Sequence, residues 1–239
     1  MNNMLEQLQK QYGELDASDL LREMITREFK GKIALISSFG ADAALLLSMV
    51  AEVDANTPVL FLETGKHFPE TLEYVETLKN QLKLTNLHFL TPAPEMLKRI
   101  DGAGDLWNSN PDRCCWLRKV EPLDRAVKKL GIEALITGRK KYQTSDRAEL
   151  QTIELDDKNI FRINPLAGWD KARQKAEFSS RNLPTHPLLE KGYLSIGCAP
   201  CTAPVKAGED ERAGRWAHTA KNGEQKKECG LHINVPSNL

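Results

Sequence analysis

Three times in its first hundred residues the chain passes from a short apolar run, through a polar loop, into a segment with helical spacing. The runs are Lys32 to Ser37 (KIALIS), Pro58 to Leu62 (PVLFL) and Leu87 to Leu90 (LHFL). ADAALLLSMVAEV follows the first, a stretch from Pro69 through ETLEYVETLKNQL the second, and a stretch opened by Pro92 and Pro94 the third. A fourth run, EALIT from Glu133 to Thr137, follows a helical pattern that continues to Leu130. That pattern starts at Asn110-Pro111, a capping side chain followed by a proline in the first turn. Strands apolar on both faces need cover on both faces, so the order specifies a doubly wound, mostly parallel α/β sheet. TIEL and NIFRIN, joined by Asp156-Asp157-Lys158-Asn159, read as an antiparallel hairpin at its edge. Leu20, Leu21, Met24, Ile25 and Phe29 have the spacing of a helix that covers the sheet. From Gly192 the pattern dissolves into Gly, Pro, Cys and charge, which divides the chain into residues 1–191 and a C-terminal segment, 192–239, wrapped over them.

Lys plus Arg and Asp plus Glu both number 33, so the net charge is zero. A bulk positive field for nucleic acid is therefore missing, and any anion site must be local. No apolar run approaches the roughly 20 residues that span a bilayer, and the charged start does not resemble a secretory segment. The expected setting is cytoplasmic, away from membranes. There, five cysteines are expected to bind metal or do redox chemistry rather than to form structural disulfides.

In an α/β sheet, ligands sit beyond the carboxyl ends of the strands. The loop Ser37-Ser38-Phe39-Gly40 presents backbone N–H groups and a helix start to a phosphate. By itself it is a common turn. The second strand ends in Glu63-Thr64-Gly65-Lys66-His67, which brings polar groups to the same rim. The fourth loop, TGRKKYQTSDRAEL, adds Gly138, Arg139, Lys140, Lys141 and Arg147, which alone would read as a solvated charged face. Three polar loops at one rim, one of them strongly basic, point to an anionic, nucleotide-like ligand.

Cys114 and Cys115 are adjacent, and Cys198-Ala199-Pro200-Cys201 forms a CxxC. Zinc pairs usually keep two to four residues between ligands, whereas neighbouring helical cysteines point about 100° apart. A 4Fe-4S cluster, in which each thiolate takes a different iron, suits them better. Zinc is the next reading, and four free thiols the last. If four cysteines are taken, Cys229 in KKECGLH is the thiol left to act as nucleophile. Lys226 and Lys227 favour its thiolate and Glu228 opposes it. With no resolving thiol in its chain, an adduct on Cys229 needs an outside thiol for release. His232, Arg212 and Arg215 complete the polar groups of this segment.

The ordered set SSFGADAALLL, FLETGKHFPET, PDRCCWLRKVEPLDRA, TGRKKYQTSDRAEL, INPLAGW, GCAPCT, RAGRW and KKECGLH resembles the iron-sulfur adenylyl-sulfate reductases of the phosphoadenylyl-sulfate reductase family. The resemblance covers nearly the whole chain. It implies a domain of the adenine nucleotide alpha hydrolase-like (PP-loop) type over 1–191, with a tail carrying the reactive cysteine. It implies thioredoxin-dependent reduction of adenosine 5′-phosphosulfate to sulfite and AMP, in sulfate assimilation and cysteine biosynthesis, through an S-sulfonate on Cys229. One 4Fe-4S cluster per chain would be held by Cys114, Cys115, Cys198 and Cys201. The donor would be thioredoxin or a glutaredoxin-like protein, and a second copy of the chain is a further candidate partner. Carried over, the substrate contacts are Ser37, Ser38, Phe39, Gly40, Leu62, Glu63, Thr64, Gly65, Lys119, Gly138, Arg139, Lys140, Arg147, Arg212, Arg215 and His232. Lys119, four residues beyond Cys115, would lie between cluster and substrate. Glu63 stands where the family more often has Asp, and AHTAKNGEQKK is longer than the usual spacer. The competing readings are a reductase of 3′-phosphoadenylyl sulfate, an ATP-dependent PP-loop thiolation enzyme, and a non-catalytic zinc module.

Overall fold

The computed structural model describes residues 2–219 and residue 231. In chain order the elements are α1 (Asn2–Tyr12), α2 (Ala17–Glu23), β1 (Ile33–Ser37), α3 (Ala43–Asp54), β2 (Val59–Leu62), α4 (Pro69–Gln81), β3 (Leu87–Leu90), α5 (Pro94–Ile100), α6 (Leu106–Ser109), α7 (Pro111–Cys115), α8 (Glu121–Leu130), β4 (Ala134–Ile136), β5 (Ile153–Leu155), β6 (Phe161–Ile163) and α9 (Lys171–Ser180). Among the described residues the six strands form one sheet in the order β3-β2-β1-β4-β6-β5. Every pairing is parallel except β5 with β6, the expected hairpin at the edge.

The strands are apolar on both faces because each face meets a helical layer. Ile33, Leu35, Val59, Phe61, Ala134 and Ile136 join α2, α3 and α4 in the larger core. Ala34, Leu60, Leu62 and Leu135 alternate with them and pack against Leu123 of α8. This strict alternation is the doubly wound arrangement. The order also puts the loops after β1, β2 and β4 side by side, because β1 is hydrogen-bonded to both other strands.

The helical pattern from 111 to 130 is interrupted. Asn110 caps α7 by accepting the Arg113 N–H at 3.0 Å, but Trp116–Val120 is a π turn before α8 resumes. Pro122 in the first turn of α8 supplies the reason: it has no N–H for the carbonyl four residues back, and its ring crowds that position. The helix expected at 19–29 likewise closes in a π turn, Met24–Glu28. Helices α1 and α9 have no counterpart among the sequence expectations.

The described residues beyond Gly192 lie against the domain. Ala199 N–H donates to the Lys66 carbonyl at 2.7 Å, and Trp216 N–H to the Cys201 carbonyl at 2.9 Å. A bridge pairs Thr202 with Arg215. No helix among the described residues is long and apolar enough to cross a membrane.

Candidate active site

The carboxyl ends of β1, β2 and β4 and the segment after Gly192 enclose a cavity of about 250 Å³. Ser37, Ser38 and Gly40 reach it from the first loop, Leu62 from β2, Gly138, Arg139, Lys140 and Arg147 from the fourth loop, and Arg212 and Arg215 from the C-terminal segment. Lys119 enters from the π turn after the paired cysteines. The described lining therefore holds six Lys or Arg side chains and one carboxylate, Asp42. That imbalance makes the cavity locally positive in a chain of zero net charge.

Lys140 and Arg139 are each held by a carboxylate. Lys140 is almost fully buried, with Nζ 3.1 Å from Asp42 Oδ2 at the start of α3. Arg139 donates from Nη2 to Glu154 at 2.6 Å and to Asn164 Oδ1 at 3.2 Å. Burial lowers its pKa, and Glu154 offsets this only in part. Arg147 is drawn into the same loop by a short bond to Gln143, whose Oε1 also accepts the Lys140 N–H.

Other expected contacts fall elsewhere. The Phe39 side chain is fully buried, edge-on to Phe61 at 5.3 Å, so only its backbone belongs to the loop. Glu63, Thr64 and Gly65 do not line the cavity. Glu63 instead accepts the Gly65 N–H at 2.6 Å, and the Thr64 hydroxyl stands 3.3 Å from Cys198 Sγ. Cys229 and His232 lie outside the described residues, but Leu231 lines the cavity.

His67, placed at this rim with its loop by the sequence but not counted among the substrate contacts, lines the cavity. Its ring packs on Phe61 at 4.9 Å and Nε2 is 2.9 Å from the Leu62 carbonyl, which assigns the Nε2–H tautomer. Burial lowers its pKa, helped by Lys119 and Arg215 and opposed by the carbonyl bond and by Glu63. The sequence reading missed Asp42, Gln143 and Trp216. Each sits inside a recognised motif, but nothing in the motif says which side chains turn inward.

The four cysteines Cys114, Cys115, Cys198 and Cys201 are all buried and line a second, small cavity. Trp216 packs with Cys198 and Cys201, and Trp107 closes over them. Burial, with the neighbouring cysteines adding to it, pushes Cys114 up to about 11 and Cys201 up to about 12. As bare thiols these two stay protonated at neutral pH, and a cationic inorganic centre is what would convert them to thiolates. The donor set fits such a centre. Among the described residues no group of three or more His, Cys, Asp or Glu side chains could hold a single metal ion. Lys119 lines both cavities and joins one site to the other.

Residues 32–204 match the model of the phosphoadenosine phosphosulfate reductase domain family. A protein of a Chelativorans species named adenosine 5′-phosphosulfate reductase is 48% identical over 229 residues, covering 95% of this chain and 90% of that one. One of the same name from Mesorhizobium japonicum is 47% identical over 222 residues, covering 93% and 84%. The crystal structure of phosphoadenylyl-sulfate reductase from Candida auris, a phosphate complex, superposes with a TM-score of 0.72 at 31% identity, covering 85% of this chain and 98% of that one.

Proposed function

The chain belongs to the phosphoadenosine phosphosulfate reductase domain family, and from that premise we propose that it is an oxidoreductase that reduces adenosine 5′-phosphosulfate to sulfite and AMP. One observation carries the reading: Leu231, two residues after Cys229 in sequence, lines the cavity in which six cationic side chains meet. Two residues of chain span at most about 7 Å, which supports delivery of the Cys229 thiolate to a ligand held there.

In the proposed reaction the Cys229 thiolate attacks the sulfur of the sulfate group. The bond to the bridging oxygen breaks, AMP leaves with the electron pair, and cysteine S-sulfonate remains. One thiol of a dithiol donor, thioredoxin or a glutaredoxin-like protein, then attacks Cys229 sulfur and sulfite departs. The donor's second thiol resolves the mixed disulfide, so two thiols are oxidised as the sulfate-level sulfur is reduced to sulfite. Thiolate and phosphosulfate repel each other, and Lys119, Lys140, Arg147, Arg212 and Arg215 offset the charge that builds on the leaving phosphate. The loop N–H groups of Ser38 and Gly40 at the start of α3 orient the phosphate. Arg139, held by Glu154, shapes the wall.

Cys114, Cys115, Cys198 and Cys201 would hold one 4Fe-4S cluster, which when bound supplies fixed charge and rigidity beside Lys119. Four buried sulfurs around one cavity, two of them from adjacent residues of α7 that point apart, support this over zinc. We place the enzyme in the cytoplasm, in sulfate assimilation.

The test is sulfite release from adenosine 5′-phosphosulfate and from its 3′-phosphorylated form, with thioredoxin present. Release from the first, and neither sulfite nor covalent adduct in Cys229→Ser, is the expected result. Sulfite formation by that variant would sink the mechanism, and strong preference for the second substrate would reassign the substrate.

A further inference from the structure

Asp101 and Arg118 form a buried ion pair, Nη2 to Oδ2 2.5 Å, that none of the proposed chemistry uses. The side chains are 0% and 8% exposed, so the pair is removed from water and its geometry is not incidental. Its remaining bonds all lead to the walls of the cysteine cavity. Arg118 lies three residues after Cys115 and lines that cavity itself. Its Nη1 donates to the Thr64 carbonyl at 2.6 Å, and the Thr64 hydroxyl touches Cys198 Sγ. The other carboxylate oxygen of Asp101 accepts the Leu106 N–H at 3.0 Å, starting α6. That helix carries Trp107, which packs over Cys198, Cys201 and Trp216.

Three segments remote in sequence are thus tied together around the four sulfurs. They are the π turn after Cys114 and Cys115, the loop after β2, and the helix with Trp107. We propose that the Asp101–Arg118 pair is a positioning device for the four-cysteine centre, holding Thr64 against Cys198 and Trp107 over the cavity. This rests on the iron-sulfur reading above. A lysine at 118 would keep the charge but lose the planar fork that serves Asp101 and Thr64 together.

The experiment uses the full chain, prepared without oxygen, as wild type, Asp101→Asn, Arg118→Lys, Thr64→Val and the Arg118→Lys/Thr64→Val double variant. It measures iron and acid-labile sulfide per chain, the half-time of iron loss to a chelator, and the iron–cysteine stretching bands in resonance Raman spectra. Partners that orient metal ligands are worth about 10- to 100-fold in metal affinity. Both single variants of the pair should therefore lose iron about tenfold faster or more and shift the iron–cysteine bands. In the Thr64→Val background, Arg118→Lys should shift the bands by less than it does alone, since the Thr64 hydroxyl branch to Cys198 is already gone and only the Trp107 branch is left. Wild-type half-times in both variants, or band shifts that add in the double variant, would overturn the proposal. If Asp101→Asn does not fold, the charge-conserving Arg118→Lys carries the same test. A wild-type chain free of iron and sulfide would overturn the iron-sulfur reading and this one together. Iron in the wild type with unchanged variants would overturn this one alone.

Discussion

Lys140 Nζ lies 3.1 Å from Asp42 Oδ2, with the lysine 2% exposed and the carboxylate 48% exposed. The charge is buried at the cavity wall, but its protein partner is half in water. Asp42 therefore sets the lysine's direction without cancelling its charge. Lys140→Met should weaken AMP binding by about tenfold or more, since a hydrogen bond to a charged group contributes about 1.5–3 kcal/mol. Its effect on unfolding should be small, because the exposed Asp42 can be resolvated. Titration calorimetry with AMP and urea unfolding check the two halves, and an unchanged Kd would remove Lys140 from the phosphate site.

Arg139 is in the opposite situation. Its side chain is 13% exposed and its guanidinium is matched by Glu154, with Asn164 and the Thr137 hydroxyl beside it. Glu154→Gln should leave that charge unmatched at the cavity wall and tighten AMP binding a few-fold. Folding should lose about 1–3 kcal/mol, since a buried charged bond is broken. Weaker AMP binding at unchanged stability would show that Glu154 does not restrain the arginine.

A Cβ at Gly197 would come within 2.6 Å of Arg215 Cζ. The obstacle is the far end of a flexible side chain, so Gly197→Ala should shift the guanidinium rather than the backbone. AMP binding should weaken several-fold with little change in Tm. Equal Kd values for the two proteins would show that Arg215 does not hold the nucleotide from its observed position.

His186 is fully buried, accepts the Leu188 N–H at Nδ1, and has Nε2 3.1 Å from the Thr71 hydroxyl. Burial pulls its pKa down to about 4, against 6.5 for the exposed group. The unfolded chain therefore binds the proton more readily, and the stability contributed is complete above pH 6.5 and lost as pH falls toward 4. Between pH 7 and pH 5 this histidine should cost the fold about 2 kcal/mol. Urea unfolding at the two pH values should show that much less pH dependence in His186→Asn than in the wild type. Parallel pH profiles would contradict the assignment.

Much of the fold was legible because its signals are local. The LHFL run is β3, residue for residue, and Asn110-Pro111 starts a helix through a bond spanning three residues. Helix α1 was missed because its sequence, NNMLEQLQKQY, is mostly polar; Leu8 and Tyr12 become core residues only when α1 meets the sheet. The same holds for α9, where Gln174 is buried but the helix carries no clear apolar stripe. The π turn at Trp116–Val120 could have been suspected from Pro122, yet its consequence is spatial: Arg118 and Lys119 open onto the cysteine cavity.

The sequence by itself determined the alternation of strands and helices, the rim at which polar loops gather, and the grouping of four cysteines apart from a fifth. These follow from side-chain periodicity and from the fixed direction of parallel strands, which operate over a few residues at a time. Only the tertiary structure decided which cations face the cavity and which are matched. Asp42 and Lys140, or Asp101, Arg118 and Thr64, meet through contacts between segments far apart in the chain. It also set the Thr64 hydroxyl beside Cys198 and put the Phe39 side chain in the core. Charge and hydrogen bonding act at a few ångströms, and no spacing in the sequence measures that distance.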